Sequence, residues 1–441
     1  MTRSSIQPPS LRPRFGAVAC AAALTGLLAS CGGGEPGGAA PAQVVEPAGE
    51  AAAGKTDQEL TDEVLAALGY AEFGDELEGP VESGVVTHVE GAVQPGLLFV
   101  CSRSRSMAML LDLEGQVVFR WKHPDGLDSV GWYHVELLAN GDLVVLEKGK
   151  RITCIAPDGS LVWQCPIFGH HDLYELEDGR IVVLESIGPI QDGIRVGTDN
   201  IVTLSPDGEV LSRVALLDLY RQFEDELPPE RRLEAAIEDE RARIAAAGVD
   251  DYDPRSTYLD YFHTNSIEPL GPNALAGEDS RFAAEHWLVC LRNLDSVLVV
   301  DLDDAEVLHR FGEQALDWPH HPTMQPDGTV LVYDNGATRG STRVLQLHPL
   351  TGEVTWSWPA TLDREVFFSS EMGSVDRLPN GNTLIADSID GRVLEVDPGG
   401  RIVWEWLNPQ VEDNRRESLY RVEKVPATVL ETLRARATAN D

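Results

Sequence analysis

From about residue 84 the chain alternates apolar and polar positions in short runs, the period-two pattern of strands with one buried face. The runs pair around acidic-Gly turns, and the pairs repeat: "AMLLDLEGQVVFRWKHP", "ITCIAPDGSLVWQC", "IVTLSPDGEVLSRVAL", "VLVVDLDDAEVLHRFG", "VLQLHPLTGEVTWSWP" and "VLEVDPGGRIVWEWLNP". Their turns fall at Gly115, Gly159, Gly208, Asp304, Gly352 and Gly400, spaced by 44, 49, 96, 48 and 48 residues. A second half-unit lies between several copies, as in "HVELLANGDLVVLE", "HDLYELEDGRIVVLES", "HPTMQPDGTVLVYDNG" and "SVDRLPNGNTLIADS". Two hairpins in roughly 40–50 residues is the signature of a four-stranded propeller blade. Six outer hairpins therefore predict an all-β, six-bladed β-propeller over residues 84–424. The doubled spacing marks an insertion. "LYRQFEDELPPERRLEAAIEDERARIAAAG" is charged, breaks at Pro228-Pro229 and reads as helical over about 219–248, on one face between the third and fourth blades and outside the channel.

The pattern is different before residue 84. Arg3, Arg12 and Arg14 precede an apolar stretch too short to span a membrane as a mature helix, the layout of an export signal. It ends in "LASC", which resembles a bacterial lipobox and implies cleavage before Cys31 and lipidation of its thiol. Residues 1–31 are thus expected to be a lipoprotein signal, and the Gly/Ala/Pro-rich residues 32–55 a flexible linker. Residues 56–83 are read as a short helical lead-in, with apolar spacing at Leu60, Val64, Leu65 and Leu68, and residues 425–441 as a C-terminal tail. The expected location is the cell envelope, lipid-anchored on the periplasmic side or at the outer membrane. Gly32 after the cysteine provides no aspartate retention signal.

The formal charge of −37, or −40 once the signal is removed, argues against nucleic acid and anionic membrane surfaces as partners. Any anionic ligand must meet a local cluster of cationic or donor groups. Cys101, Cys154, Cys165 and Cys290 lack metal-ligand spacing. Cys154 and Cys165 flank one hairpin and could pair in an oxidising compartment, although the turn register does not set them directly opposite.

The histidines carry the chemistry. His171 and His320 each lie eight residues before a turn glycine of the second half-unit, Gly179 and Gly328. His134, seven before Gly141, is one register off, and "YFHTNSIEPLGPNAL" puts His263 at the same kind of strand entrance. The innermost strands of a propeller line one channel, so equivalent positions in different blades converge. His171, His263 and His320 should face one another, with Arg292 of "CLRNLDSVLVVDL" beside them. A lone loop histidine is ordinarily a solvated side chain; three at matching positions are harder to treat so. A His/His/His/Arg cluster suits either a three-histidine metal site or a tetrahedral oxyanion bound by a forked guanidinium, with one neutral imidazole as nucleophile. No carboxylate pattern of metalloprotease type favours the metal.

"HHDLYELEDG", "DYFHTNSIEPL", "CLRNLDSVLVVDL" and "WPHHPTMQPDGTVLVYDNG" resemble, in that order, the motifs of the bacterial arylsulfate sulfotransferases, six-bladed propeller enzymes of the envelope. The resemblance covers roughly residues 85–410. It implies that His320, followed by Tyr333-Asp334-Asn335-Gly336, is the catalytic histidine, and that His263, Arg292 and His171 bind the sulfuryl oxygens. His321, Thr264, Asn265 and Trp318 are the expected substrate-binding neighbours, and His321 competes with His320 for the nucleophile's role. Leu291 stands where the family carries a serine, and the long insertion is a second departure. Trp132, Tyr133, Tyr261 and Phe262 join Trp318 as candidate aromatic walls for a phenol, packing being at least as good an account of each.

The implied reaction moves a sulfuryl group from an aryl sulfate to a phenol through a sulfated histidine, without a nucleotide, a metal or any other cofactor. The expected partners are these small molecules, with no nucleic acid, the membrane only through the lipid anchor, and homodimerisation left open. A non-catalytic propeller that binds a ligand or partner is the competing reading. A quinone-dependent dehydrogenase fits worse, because six blades and a histidine-lined axis do not suit it.

Overall fold

A computed structural model describes residues 72–77, 81–125, 132–147, 151–247, 258–362 and 367–438. The signal, lipobox and linker expectations, Cys31 among them, lie outside these residues. So does the helical pattern of residues 56–71. The described part of the lead-in is a strand, Phe73–Glu76, paired with Arg415–Glu417.

Among the described residues the strands form six sheets of four to six strands each, antiparallel but for the short Leu259–Asp260 pairing, and one small sheet of three. Their inner strands contact one another from sheet to sheet, which makes the fold a β-propeller. The outer hairpins turn where the sequence predicts. Gly115, Gly159, Gly208, Gly352 and Gly400 all adopt positive φ between +69° and +87°, a conformation that favours glycine. In the fourth repeat, which lacks the glycine, Ala305 takes the left-handed conformation at φ +51°. Aspartates lock several turns: Asp112 Oδ1 accepts from Gln116 N at 2.8 Å, and Asp397 Oδ1 from Arg401 N at 2.9 Å.

Closure of the ring comes from the end of the chain. Val422–Val425 pairs with Leu97–Cys101 and supplies the innermost strand of the first sheet. Gly84–His88 adds an outermost fifth strand to the last sheet. What was expected to be a tail is therefore in part structural, because Val425 ends the closing strand and Val429–Ala437 is a helix. Its Leu433 is fully buried against the Gly141 turn, and Arg436 holds Asp142 at 2.8 Å.

Between the third and fourth sheets lie two helices, Leu216–Arg221 and Leu233–Ala246, with a short 3-10 turn at Pro229–Arg231. They are packed rather than peripheral. Leu219, Tyr220, Phe223, Leu233 and Ile237 join Val196, Tyr261 and Phe262 in one core cluster. Tyr261 Oη donates to the Arg231 carbonyl at 2.6 Å and lies 2.9 Å from Tyr220 Oη. The insertion thereby anchors the segment just ahead of His263.

The four cysteines of the described residues are free and buried. The hairpin register sets Cys154 opposite Trp163 and Cys165 opposite Ile152, so the two thiols do not pair.

Candidate active site

The inner strands do not run straight into the channel. Their registers slip between Gly169 and Leu173, between Thr264 and Ser266, and between His320 and Thr323. At each slip a histidine adopts positive φ: His171 +57°, His263 +47° and His321 +46°. Such conformations are costly for non-glycine residues and persist only where the surroundings impose them. Gly169 makes room for the first bulge, since a Cβ there would lie 2.8 Å from side-chain atoms of both Ile152 and Leu146.

Strand pairing brings His263 and Arg292 together. Thr264 lies opposite Leu291, and Arg292 N donates to the His263 carbonyl at 3.3 Å. The His171 and His263 rings meet edge to face at 4.9 Å. His320 completes the group, close enough that protonating it would disfavour protonation of both other imidazoles. His171, His263, His320 and Arg292 are each at most 6% exposed. The structure thus gathers the four expected catalytic residues into one buried cluster.

Each of the four is oriented by a partner. His263 Nδ1 lies 2.5 Å from Asp260 Oδ2. The same oxygen accepts from Arg292 Nη2 at 3.5 Å, while Arg292 Nε donates to Asn293 Oδ1 at 3.0 Å. The guanidinium lies 4.3 Å from the centre of the Trp318 ring, a stacking that lysine reproduces poorly. His171 Nδ1 meets His170 Nδ1, and His170 Nε2 lies 2.9 Å from Asp199 Oδ1, outside hydrogen-bond alignment.

His320 has the most informative environment. Asn335 Nδ2 donates to the carbonyls of Ser369 and Met372 at 2.8 and 2.7 Å, which fixes the orientation of the amide. Asn335 Oδ1 therefore faces His320 Nδ1, 2.6 Å away. An amide oxygen only accepts, so Nδ1 carries the proton and Nε2 the lone pair. That Nε2 is buried and makes no hydrogen bond among the described residues. Burial first, and the Arg292 charge second, push the His320 pKa down to about 3. The same two causes lead at His263, held well below the usual histidine value. Burial is also the first cause at His171. The result is a set of neutral imidazoles beside one fixed cation.

His321 is not part of this cluster. Its Nδ1 accepts from Val375 N at 3.1 Å and its Nε2 lies 3.1 Å from Glu268 Oε1, so it faces a different part of the channel. Thr264 lines a cavity of about 10 Å³ with His171 and His263, space for about one water, and its Oγ1 is buried without a partner. Asn265 instead ties two inner strands together, donating to the Pro319 carbonyl at 2.8 Å. Of the candidate aromatic walls, Trp132, Tyr133, Tyr261 and Phe262 are core residues, whereas Trp318 is half-buried against Arg292.

Asp260, Asn335, His170 and Asp199 were not singled out in the sequence. Asp260 stands three residues before His263, and Asn335 directly follows the strand that pairs with His320, so both lay inside quoted motifs. Glu371 is a further neighbour of Arg292; burial raises its carboxyl to about 7 against the pull of Arg292 and Arg103.

Among solved structures, a protein of unknown function from Bacteroides caccae is similar at a TM-score of 0.45 and 15% identity, over 75% of this chain and 98% of that one. Virginiamycin B lyase from Staphylococcus aureus is similar at 0.42 and 10%, over 77% and 88%. The WD40 propeller domain of Doa1 is similar at 0.41 and 11%, over 81% and 98%. These likenesses are too distant to bear on activity. No curated protein matches the chain. The arylsulfotransferase (ASST) family model matches residues 134–409, well over half the sequence and all four residues of the cluster, and the chain belongs to that family.

Proposed function

We propose that the chain is a six-bladed, lipid-anchored envelope sulfotransferase that passes a sulfuryl group from an aryl sulfate to a phenol through a sulfated His320. The observation that carries this reading is the tautomer of His320. Asn335 holds the proton on Nδ1, which leaves the Nε2 lone pair directed into a cluster that also contains Arg292. In the first step Nε2 forms a bond to sulfur, the sulfur–oxygen bond to the aryl group breaks, and the phenolate leaves. The sulfated ring retains its Nδ1 proton and so carries a positive charge, which the Asn335 oxygen stabilises. An acceptor phenol, losing its proton, then attacks sulfur, and the nitrogen–sulfur bond returns its electron pair to Nε2.

Arg292 is the donor that serves the sulfuryl oxygens, with the His171 and His263 rings shaping the site beside it. Its value is greatest as negative charge spreads in the transition state, where losing one such donor costs about 10²–10³ in rate. The guanidinium also draws an anion into a protein with a formal charge of −37. With His320 held neutral down to about pH 3, the nucleophile is available across the physiological range.

The test is covalent. Enzyme quenched with an aryl sulfate and no acceptor should carry one sulfuryl group on the Asp317–Gly336 peptide. The label should vanish in His320→Ala and persist in His321→Ala. A label retained in His320→Ala would transfer the role to another residue, and transfer without any label would end the covalent mechanism. For the anchor, Cys31→Ala should move the protein to the soluble fraction; unchanged fractionation would remove the lipobox from the proposal.

A further inference from the structure

The channel holds a second compartment of opposite character. A cavity of about 330 Å³ is lined by Glu136, Glu268, Asp376 and Glu423, with His321 and Arg421. Arg377 and Lys424 line it too; each cation has partners of its own, and Arg421 also lies 3.9 Å from Glu268 Oε1. Arg421 forks onto Asp172 at 2.7 and 2.9 Å, and Lys424 is taken by the buried Glu395 at 2.7 Å. Arg377 donates to the Gly381 carbonyl, Thr383 Oγ1 and Gln346 Oε1. Glu268 accepts from His321. Among the described residues, no salt bridge joins Glu136, Asp376 or Glu423 to a cation.

Glu136 and Glu423 converge on a nitrogen. A ring nitrogen of His134 and one carboxylate oxygen from each glutamate all lie within 4.8 Å of one another. His134 is 2% exposed, and its Nε2 makes no hydrogen bond. Asp172 Oδ1, 3.8 Å from that nitrogen, is already held by Arg421 and by Leu173 N. An imidazole buried with no hydrogen bond for its Nε2 among the described residues is costly. A neutral imidazole is the form that binds metal. Ligands about 2.0–2.2 Å from a tetrahedral zinc sit about 3.5 Å apart, so small rotations close the triangle.

We propose that His134, Glu136 and Glu423 bind one divalent cation of borderline softness, zinc-like rather than calcium-like, inside the propeller channel. The imidazole decides the class, since calcium and magnesium take oxygen donors whereas imidazole suits zinc and its neighbours. The ion would also fasten the fold. His134 and Glu136 belong to Trp132–Leu137, the inner strand of the second sheet, and Glu423 to the closing strand Val422–Val425. It would join the last strand of the ring to its neighbour, a role independent of sulfuryl transfer.

The probe is zinc added to the untagged, chelator-treated full chain, followed by calorimetric titration and thermal unfolding. One zinc should bind per chain, and Tm should rise by about 3–4 °C at zinc a hundredfold above its Kd. Calcium and magnesium at the same concentration should leave Tm unchanged. Glu423→Gln removes one of several converging negative charges, so its metal-free Tm should match or exceed that of the wild type while the zinc shift disappears. That pairing separates loss of binding from misfolding. His134→Gln should lose the shift as well. The assignment falls if zinc gives no heat and no shift up to about 1 mM, if calcium acts equally, or if the shift survives Glu423→Gln.

Discussion

Replacing Asn335 with Asp changes one atom and should relocate the acid limit of the enzyme. In the wild type the amide oxygen accepts from His320 Nδ1 at 2.6 Å without carrying a charge. The imidazole, desolvated and facing Arg292, is held at about 3. A carboxylate in that place stabilises the imidazolium, and an opposite charge at such range typically shifts a pKa by about 1–3 units, each worth about 1.4 kcal/mol. His320 in Asn335→Asp should therefore titrate between about 4 and 6. The reactive form is the neutral one, so activity is lost as pH falls through the folded-state pKa. Raising that pKa moves the loss upward, from about pH 3 in the wild type to about pH 5 in the variant. The substitution has a structural cost, because Asn335 Nδ2 no longer serves the Ser369 and Met372 carbonyls. Two unsatisfied buried acceptors destabilise by roughly 2–6 kcal/mol. Circular dichroism at each pH must therefore accompany the rates. The assay is turnover of a chromogenic aryl sulfate at saturating phenol from pH 3 to 9. An acid limb of the folded variant that coincides with the wild type, or lies below it, would refute the assignment of His320 as the titrating nucleophile.

Two further outcomes follow from the same geometry. Arg292→Lys keeps the charge but loses the forked donors and the stacking on Trp318, so kcat/KM for aryl sulfate should fall about 10²-fold or more with Tm nearly unchanged; a fall under tenfold would mean that charge alone is used. Asp387 is fully buried, neither of its oxygens makes a hydrogen bond among the described residues, and burial and the neighbouring Asp390 raise it to about 8 against Arg392. A carboxyl raised above its unfolded value contributes stability that is lost as pH rises through the folded pKa, so Asp387→Asn should increase Tm more at pH 9 than at pH 6, and an equal effect at both would contradict the account.

The blades were legible because their turns have a local chemical signature. An aspartate or serine that closes the loop and a glycine that takes positive φ recur at most of the outer hairpins, as at Asp112–Gly115 and Asp397–Gly400. The closing strand was not legible in the same way. Val422–Val425 has four residues, no turn glycine and a partner near the other end of the described chain, so nothing local marks it. For the same reason Glu423 and Arg421 were missed as channel residues. The histidine cluster was readable from repeat position alone, since a propeller converts equivalent positions into neighbours. Its orienting groups were less so, because Asp260 and Asn335 act from a strand end or just beyond one, and Asp199 acts from the middle of another strand, where no repeat position marks them.

The bulges of the inner strands also explain how one channel can hold two unlike chambers. Adjacent residues on a regular strand alternate faces, and a left-handed residue at the start of the strand redirects that alternation. His320 turns to Asn335 and the Arg292 cluster, whereas His321, at φ +46°, turns to Glu268 and the acidic cavity. His171 likewise meets His263, while the following Asp172 is clasped by Arg421. The Asp172–Arg421 pair and His321 border the acidic side, and the Arg292 cluster occupies the other. An anion such as the proposed aryl sulfate would be attracted to the fixed guanidinium and repelled by the carboxylates. A cation has the opposite preference. The strained conformations at His171, His263 and His321 thus sort the two kinds of charge within one ring of strands, and straightening any of these bulges would return a side chain to the wrong chamber.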